Sequence, residues 1–327
     1  MLGKAAGIRY RERGTGVAGG DGLNEGLRHG VYGTPPDALC AVAPEAIQFS
    51  PLLPGSNALE AQAPGSLASL AMLAPPGTIE RRYAIALGLR ALAPGAPFTI
   101  LAPKDRGGAR LAAELEAFGC EVHDEARRHH RICTGLRPAH PVGLDDALSE
   151  GAPRFIEALG LWSQPGVFSW DRIDPGSALL IQHLPALSGR GADFGGGTGV
   201  LSQAVLASPK VTKLSLYEID RRAIEAAKRN IGDARIDLRW ADLRQPNATL
   251  AKLDFVVMNP PFHDGGAEDK TLGQSFIRRA AESLRNGGQL WLTANRHLPY
   301  EAVLKPLFKQ VTVVAEASGY KIFEARK

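Results

Sequence analysis

The chain has 327 residues, 44% hydrophobic and 22% charged, with 37 Gly and 23 Pro; that is length for about two domains with real cores, and it excludes a disordered chain. Lys and Arg outnumber Asp and Glu by 38 to 34, and the excess falls after residue 165, where 22 basic groups meet 17 acidic ones, a modest lean towards a polyanion. Three cysteines (Cys40, Cys120 and Cys133) without a C-x-x-C argue against a disulfide framework or zinc knot, and no secretory leader or long apolar run is visible, so buried thiols, a cytoplasmic protein, no membrane and no metal are expected.

Residues 1–20 are Gly- and Arg-rich without periodicity and are expected to be loose. Short apolar runs predict strands at 39–43 and 47–50. A helix follows at 80–92, a strand at 97–103, a turn over Lys104–Gly108, a helix at 109–119 ending at Gly119, and a strand at 120–125. This order predicts an α/β first domain over 21–160 with no ligand motif. The cluster Arg127, Arg128, His129, His130 and Arg131 fits either a phosphate contact or a solvated loop, the latter being the simpler reading. Pro and Gly gather over 135–170 and mark the boundary with a second domain, 161–327. There, strands at 190–194, 212–217, 235–240, 253–258 and 289–294 alternate with helices at 199–207, 221–230, 272–285 and 300–308. The chain closes with strands 311–317 and 320–326 around Ser318-Gly319, a hairpin signal. The expectation is a mostly parallel Rossmann-like sheet with a terminal antiparallel hairpin.

The run Asp193-Phe194-Gly195-Gly196-Gly197-Thr198-Gly199 sits at a strand end and opens a helix. Glycines let backbone approach a ligand, and helix-start N–H groups can receive a carboxylate. A dinucleotide fingerprint would put its third glycine at position 200, which is Val200; here it falls at Gly199, the D-x-G-x-G-x-G pattern of S-adenosylmethionine sites. Glu218 ends the next strand and suits two ribose hydroxyls, with Ile219 beside it. Asp242, followed by Leu243, ends the third and suits the adenine amino group.

Asn259-Pro260-Pro261-Phe262 follows the apolar strand LDFVVM. An exocyclic amine on a base is a poor nucleophile, because its lone pair is delocalised into the ring. The Asn259 amide oxygen and the Pro260 carbonyl, held by two rigid prolines, can accept both N–H groups and aim the freed lone pair. Phe262 offers a stacking face. His263 and Asp264 can orient this loop or touch the nucleotide, and Arg296, past the fifth strand, can meet phosphate. Phe168, Arg172, Asp174 and Ser177 precede the glycine run, as a lid over the cofactor or as packing.

Together PGVFSWDRIDPGSALL, DFGGGTGVLSQAVL, MNPPFHDG, LWLTANRHLPYE and GYKIFEARK resemble the bacterial ribosomal RNA guanine-N2 methyltransferases, the small-subunit methyltransferase C type and its large-subunit relative. The resemblance covers 165–327 well and 1–164 weakly. It implies a class I methyltransferase domain after a degenerate copy that supports folding or binds substrate. It further implies that Asp193, Phe194, Gly195, Gly197, Gly199, Glu218, Ile219, Asp242, Leu243 and Asn259 hold the cofactor, that Asn259 to Phe262 hold the guanine amine, and that ribosomal RNA or a ribosomal subunit is the partner. Gly196, where the family usually shows Cys, and Glu218, for the commoner Asp, are departures. Methylation of transfer RNA, DNA adenine or protein glutamine is the alternative, although glutamine enzymes usually carry tyrosine at position 262 and a small helical first domain. A binding module without chemistry and a dehydrogenase fit less well. Two fused domains make a monomer the expected state.

Overall fold

The computed structural model describes residues 27–245, 250–261, 263–264, 267–268 and 270–327. The first unit contains β1 (Arg28–Tyr32), β2 (Ile47–Gln48), β3 (Leu67–Leu73), α1 (Thr78–Ala91), β4 (Pro97–Pro103), α2 (Ala109–Ala117), β5 (Val122–Arg127) and β6 (His130–Leu136). A connecting stretch holds α3 (Leu144–Gly151) and the small hairpin β7 (Arg154–Ile156) and β8 (Leu161–Ser163). The second unit contains α4 (Pro175–His183), β9 (Gly189–Phe194), α5 (Val200–Leu206), β10 (Val211–Glu218), α6 (Arg221–Asn230), β11 (Ile236–Trp240) and β12 (Leu253–Met258). It continues through β13 (His263–Asp264), β14 (Ala267–Glu268), α7 (Lys270–Ser283), β15 (Leu284–Asn295), α8 (Glu301–Leu304), β16 (Gln310–Ala317) and β17 (Tyr320–Arg326).

The second sheet runs β11-β10-β9-β12-β15-β17-β16, with β17 antiparallel to β15 and the rest of the central strands parallel. β12 lies at its centre, and its apolar run is buried on both faces, as a parallel strand covered by helices must be. The first sheet runs β2-β1-β3-β4-β6-β5, again parallel up to β4 and then antiparallel. Strand for strand this is the same layout without a counterpart of β11. β3, α1, β4, α2 and the β5–β6 hairpin correspond to β12, α7, β15, α8 and the β16–β17 hairpin. The first unit is thus a degenerate copy of the second.

The prediction for the second unit holds for most elements; the helix expected at 300–308 shortens to α8, β15 begins at Leu284 rather than 289, and α4 and the β13–β14 pair were not foreseen. The first unit departs more. Residues 39–43 are not a strand: Leu39 and Cys40 both donate backbone N–H to Pro36 O, forming a turn that buries both side chains. β1, β3, β6, α3 and the β7–β8 hairpin were not foreseen. The basic cluster at 127–131 is the tip and first rungs of the β5–β6 hairpin, with Arg131 ion-paired to Asp124. The segment 1–20 lies outside the described residues. All three cysteines are buried free thiols.

Buried ions join the two units. Arg222 of α6 reaches Glu80 of α1 at 2.7 Å and Asp220 at 2.8 Å. Beside it Arg221 donates its backbone N–H to Pro51 O and pairs with Glu60 at 3.1 Å. Within the first unit Arg81, also buried, forks onto both oxygens of Glu114 at 2.7 Å and donates to the carbonyls of Pro75 and Pro76. Among the described residues no helix is long and apolar enough to cross a membrane.

Candidate active site

β9, β10, β11, β12 and β15 run parallel, so their C-terminal ends form one rim. Phe194 lies level with Met258 across one neighbour and with Tyr217 across the other. The chain leaves β9 towards β10 and later returns on its other side as β12, which is the switch point where open α/β sheets bind ligands. The glycine run and Asn259-Pro260-Pro261 therefore leave adjacent strands side by side. A Cβ built on Gly195 would stand 3.9 Å from Pro261 Cδ, so the two motifs adjoin at the rim.

The turn itself demands glycine. Gly195, Gly197 and Gly199 have φ of +70°, +53° and +93°, in the left-handed region that L side chains avoid. A Cβ on Gly197 would meet nothing within 4 Å, so the backbone there borders open space that a ligand can fill. At Gly196 a Cβ would fall 2.4 Å from Leu216 Cγ, which gives the departure from the family's Cys a steric reason. The loop is tied to β10 by Gly195 and Gly196 N–H donating to Tyr217 O.

Asp193 is fully buried at the end of β9. Ser202 Oγ donates to its Oδ2 at 2.7 Å, while Oδ1 has no hydrogen-bond partner among the described residues. Burial, with Glu218 nearby and against the Ser202 hydrogen bonds, pushes its carboxyl up to about 7. An orphaned buried acceptor is costly, and a donor from a ligand would satisfy it. Phe194 is buried and meets Tyr217 edge to face at 5.9 Å, so it packs the floor of the site.

Glu218 Oε2 accepts from Gly197 N–H at 2.9 Å; Oε1 accepts from Ile219 and Asp220 N–H at 2.7 and 2.9 Å. Burial raises this carboxyl, and the three backbone donors act against that. A carboxylate has about four acceptor sites, so room remains for a hydroxyl. Ile219 O accepts from Trp240 Nε1 at 2.8 Å, which fixes the turn after β10. Asp242 follows β11 and is gripped by Arg244 through its backbone N–H and Nε, both at 2.9 Å to Oδ1. Partial burial raises the Asp242 carboxyl, but the Arg244 bonds outweigh it and hold it below the ordinary range. Leu243 is buried in the core under the rim.

Asn259 is half-buried, Pro260 buried and Pro261 half-buried. Asn259 Nδ2 donates to Asp174 Oδ2 at 2.8 Å and to Ser177 Oγ at 2.9 Å. Asp174 also caps α4, accepting Ser177 N–H at 2.8 Å with Pro175 at the first helical position. Sequence reasoning left this segment between lid and packing; the structure makes it a brace behind Asn259. The signal was available in Asp174-Pro175-Gly176-Ser177, a helix-start signature. Phe262 lies outside the described residues, and of His263 and Asp264 only the backbone pairing with β14 is described. Arg296 follows β15 at the same rim, is 71% exposed and pairs with Glu316 at 2.6 Å.

The "Methyltransferase small domain" family model matches residues 158–324. The chain is 30% identical over 311 residues to "Ribosomal RNA small subunit methyltransferase C" of Pseudomonas aeruginosa (strain LESB58), covering 91% of this chain and 94% of that protein. A relative of the same name from Shewanella sp. (strain MR-4) is 37% identical over 158 residues, 48% of this chain and 46% of that one. Among solved structures, the T. thermophilus 16S rRNA N2 methyltransferase RsmC, in complex with AdoMet and guanosine, is similar with a TM-score of 0.67 at 24% identity, over 82% of this chain and 75% of that one.

Proposed function

Because the chain belongs to the ribosomal RNA small subunit methyltransferase C family, adenosylmethionine-dependent enzymes with a class I fold, we propose that it methylates the exocyclic N2 amine of a guanine in ribosomal RNA, with the small subunit as the favoured partner. The observation that carries the reading is the orientation of Asn259: both donors of its amide are spent on Asp174 and Ser177, so its oxygen is left as an acceptor beside the glycine turn.

The residues present fit the cofactor. The orphaned Asp193 Oδ1, the open space over Gly197 and the remaining acceptor site of Glu218 offer what an amine- and hydroxyl-bearing ligand needs. We assign Asp193, Phe194, Gly195, Gly197 and Gly199 to its cradle, Glu218 with Ile219 to the ribose, and Asp242 with Leu243 to the adenine. When bound, the cofactor supplies an electrophilic methyl on a sulfonium.

Asn259 Oδ1 and the Pro260 carbonyl accept the two N–H groups of the guanine amine and turn its lone pair out of conjugation. Held so, the nitrogen would accept the methyl group the cofactor supplies, the thioether would be the leaving group, and the methylated amine would give its proton to water. Acceptors fixed in advance stabilise the charge that develops on nitrogen. Phe262 is assigned as the stacking face, and His263 and Asp264 as contacts to the nucleotide.

The first unit retains no glycine turn: β1 ends at Tyr32, and residues 33–36 read Gly-Thr-Pro-Pro. We assign it to substrate binding. Lys104, Arg110, Arg128 and His129 are exposed around the ends of β4 and β5, and Lys104 N–H donates to His129 O at 2.8 Å. Among the described residues Lys104, Arg110 and Arg128 have no carboxylate within ion-pair distance, which suits RNA phosphate.

Labelled methyl from adenosylmethionine, offered small subunits, large subunits and release factor, tests the reading. Label should enter small-subunit RNA, and Asn259→Ala should cut the rate at saturating cofactor by about 100-fold or more. Label confined to protein, or an Asn259→Ala variant at wild-type rate, would refute it.

A further inference from the structure

Asp174 collects donors from two parts of the fold. Its Oδ2 accepts Ser177 N–H from the first turn of α4 and Asn259 Nδ2 from the end of β12, both at 2.8 Å. Tyr320, which opens β17 and packs its ring on Gly176, lies near the same carboxylate, whose negative charge adds to burial in raising the phenol above its ordinary range. The backbone of Gly176 lies flat against the Tyr320 ring, where a Cβ would come within 2.7 Å of Cδ1, so no side chain fits between brace and ring. Ser177 is buried and accepts from Asn259 Nδ2 at 2.9 Å.

The chemistry of this cluster has a direction. An amide can turn by 180° with little change in shape, exchanging an oxygen for an NH₂ group. A carboxylate only accepts hydrogen bonds. Facing Asp174, the Asn259 amide must present Nδ2 to it and Oδ1 to the opposite side. Flipped, it would aim its own NH₂ at an amine that needs acceptors. A charged partner also polarises the amide and strengthens Oδ1 as an acceptor.

We propose that Asp174, with Ser177, is the positioning group of the reaction: it selects the one orientation of the Asn259 side chain that can receive an amine. Asp174 does not touch the substrate. The inference rests on the acceptor role given to Asn259 above.

The test separates the two ideas with single-turnover rates, substrate KM and cofactor affinity. Asp174→Ala should lower kcat by about 100-fold, the scale of losing one fixed electrostatic contact, with cofactor affinity within a few-fold of wild type. Because Asp174 also caps α4, Ser177→Ala is the second variant. It leaves the cap acceptor in place and should lower kcat by roughly three- to tenfold with little change in KM.

The decisive variant is an exchange. Asn259→Asp alone puts two carboxylates in contact and should be inactive. Adding Asp174→Asn moves the amide to the other side of the same hydrogen bond, frees one oxygen at position 259, and should recover at least tenfold over Asn259→Asp. The recovery counts as positioning where it appears in kcat between variants that melt and bind cofactor alike, since relief of the carboxylate contact by a merely structural brace would appear as recovered stability.

Wild-type kcat in both Asp174→Ala and Ser177→Ala, with Asn259→Ala inactive, would overturn the positioning role alone. So would a double variant no faster than Asn259→Asp that still melts and binds cofactor like wild type. Wild-type rate in Asn259→Ala would instead remove the acceptor reading itself.

Discussion

Asp193 accepts from Ser202 Oγ and, among the described residues, leaves its other oxygen without a donor. Its carboxyl is pushed up to about 7, from an ordinary value of 3.8, chiefly by burial. An acid whose folded value lies above its unfolded one favours the folded state most when protonated. The stability it contributes is therefore fully present below about pH 4 and is lost as pH rises through about 7. Asp193→Asn should flatten that part of the stability–pH curve, read by chemical denaturation at several pH values. Cofactor donors reaching Oδ1 favour the ionised form, so affinity for adenosylmethionine should rise as pH increases through 7 in wild type and change little in Asp193→Asn. A wild-type affinity that falls over the same range would contradict this account of the residue.

At the scale of elements, the β5–β6 hairpin carries an unusual turn. Arg128 and His129 have φ of +47° and +61°, a conformation that two-residue hairpins usually give to Asn-Gly. The chain keeps two basic-type side chains where a cheaper pair would serve, and these stand next to Lys104. Arg128→Asn with His129→Gly should raise unfolding free energy by about 1 kcal/mol. It should also weaken RNA binding and reduce the salt dependence of the affinity by about one phosphate contact. Unchanged RNA affinity at two salt concentrations would take this rim out of the substrate path.

This turn also shows why the first unit was harder to read than the second. The β16–β17 hairpin announces itself through Ser318-Gly319, but Arg128-His129 is not turn chemistry, so the basic run hid a hairpin. β3 reads LASLAML, whose Ala and Leu favour a helix as much as a strand, and only its place between β1 and β4 makes it extended. β12, by contrast, is an uninterrupted apolar run with β-branched residues, and its limits were read to the residue. At the site, the glycine turn, the strand-end acids and Asn259 were legible because local chemistry defines them. The Asp174–Asn259 bond joins residues 85 positions apart and exists only once α4 and β12 are packed.

In the molecule as a whole, the first unit is linked to the turn after β10 through a short chain of bonds. Glu80 holds Arg222, Arg222 holds Asp220, and Asp220 N–H donates to Glu218 Oε1. Breaking a buried ion pair by removing one partner leaves a charge uncompensated. Glu80→Ala should therefore destabilise the protein by about 3 kcal/mol and, by loosening the turn after β10, weaken adenosylmethionine binding several-fold. Thermal melts with and without cofactor check both parts, and a variant that melts lower but binds normally would confine Glu80 to holding the units together.

Nucleoside mass spectrometry of RNA methylated by the purified protein asks most directly which atom receives the methyl. Small ribosomal subunits lacking the modification would be incubated with isotope-labelled adenosylmethionine, and the RNA then digested to nucleosides. The predicted product is labelled N2-methylguanosine, absent with Asn259→Ala. Label in a ring-nitrogen methylguanosine, in N6-methyladenosine or only in protein would contradict the acceptor pair on which the account depends.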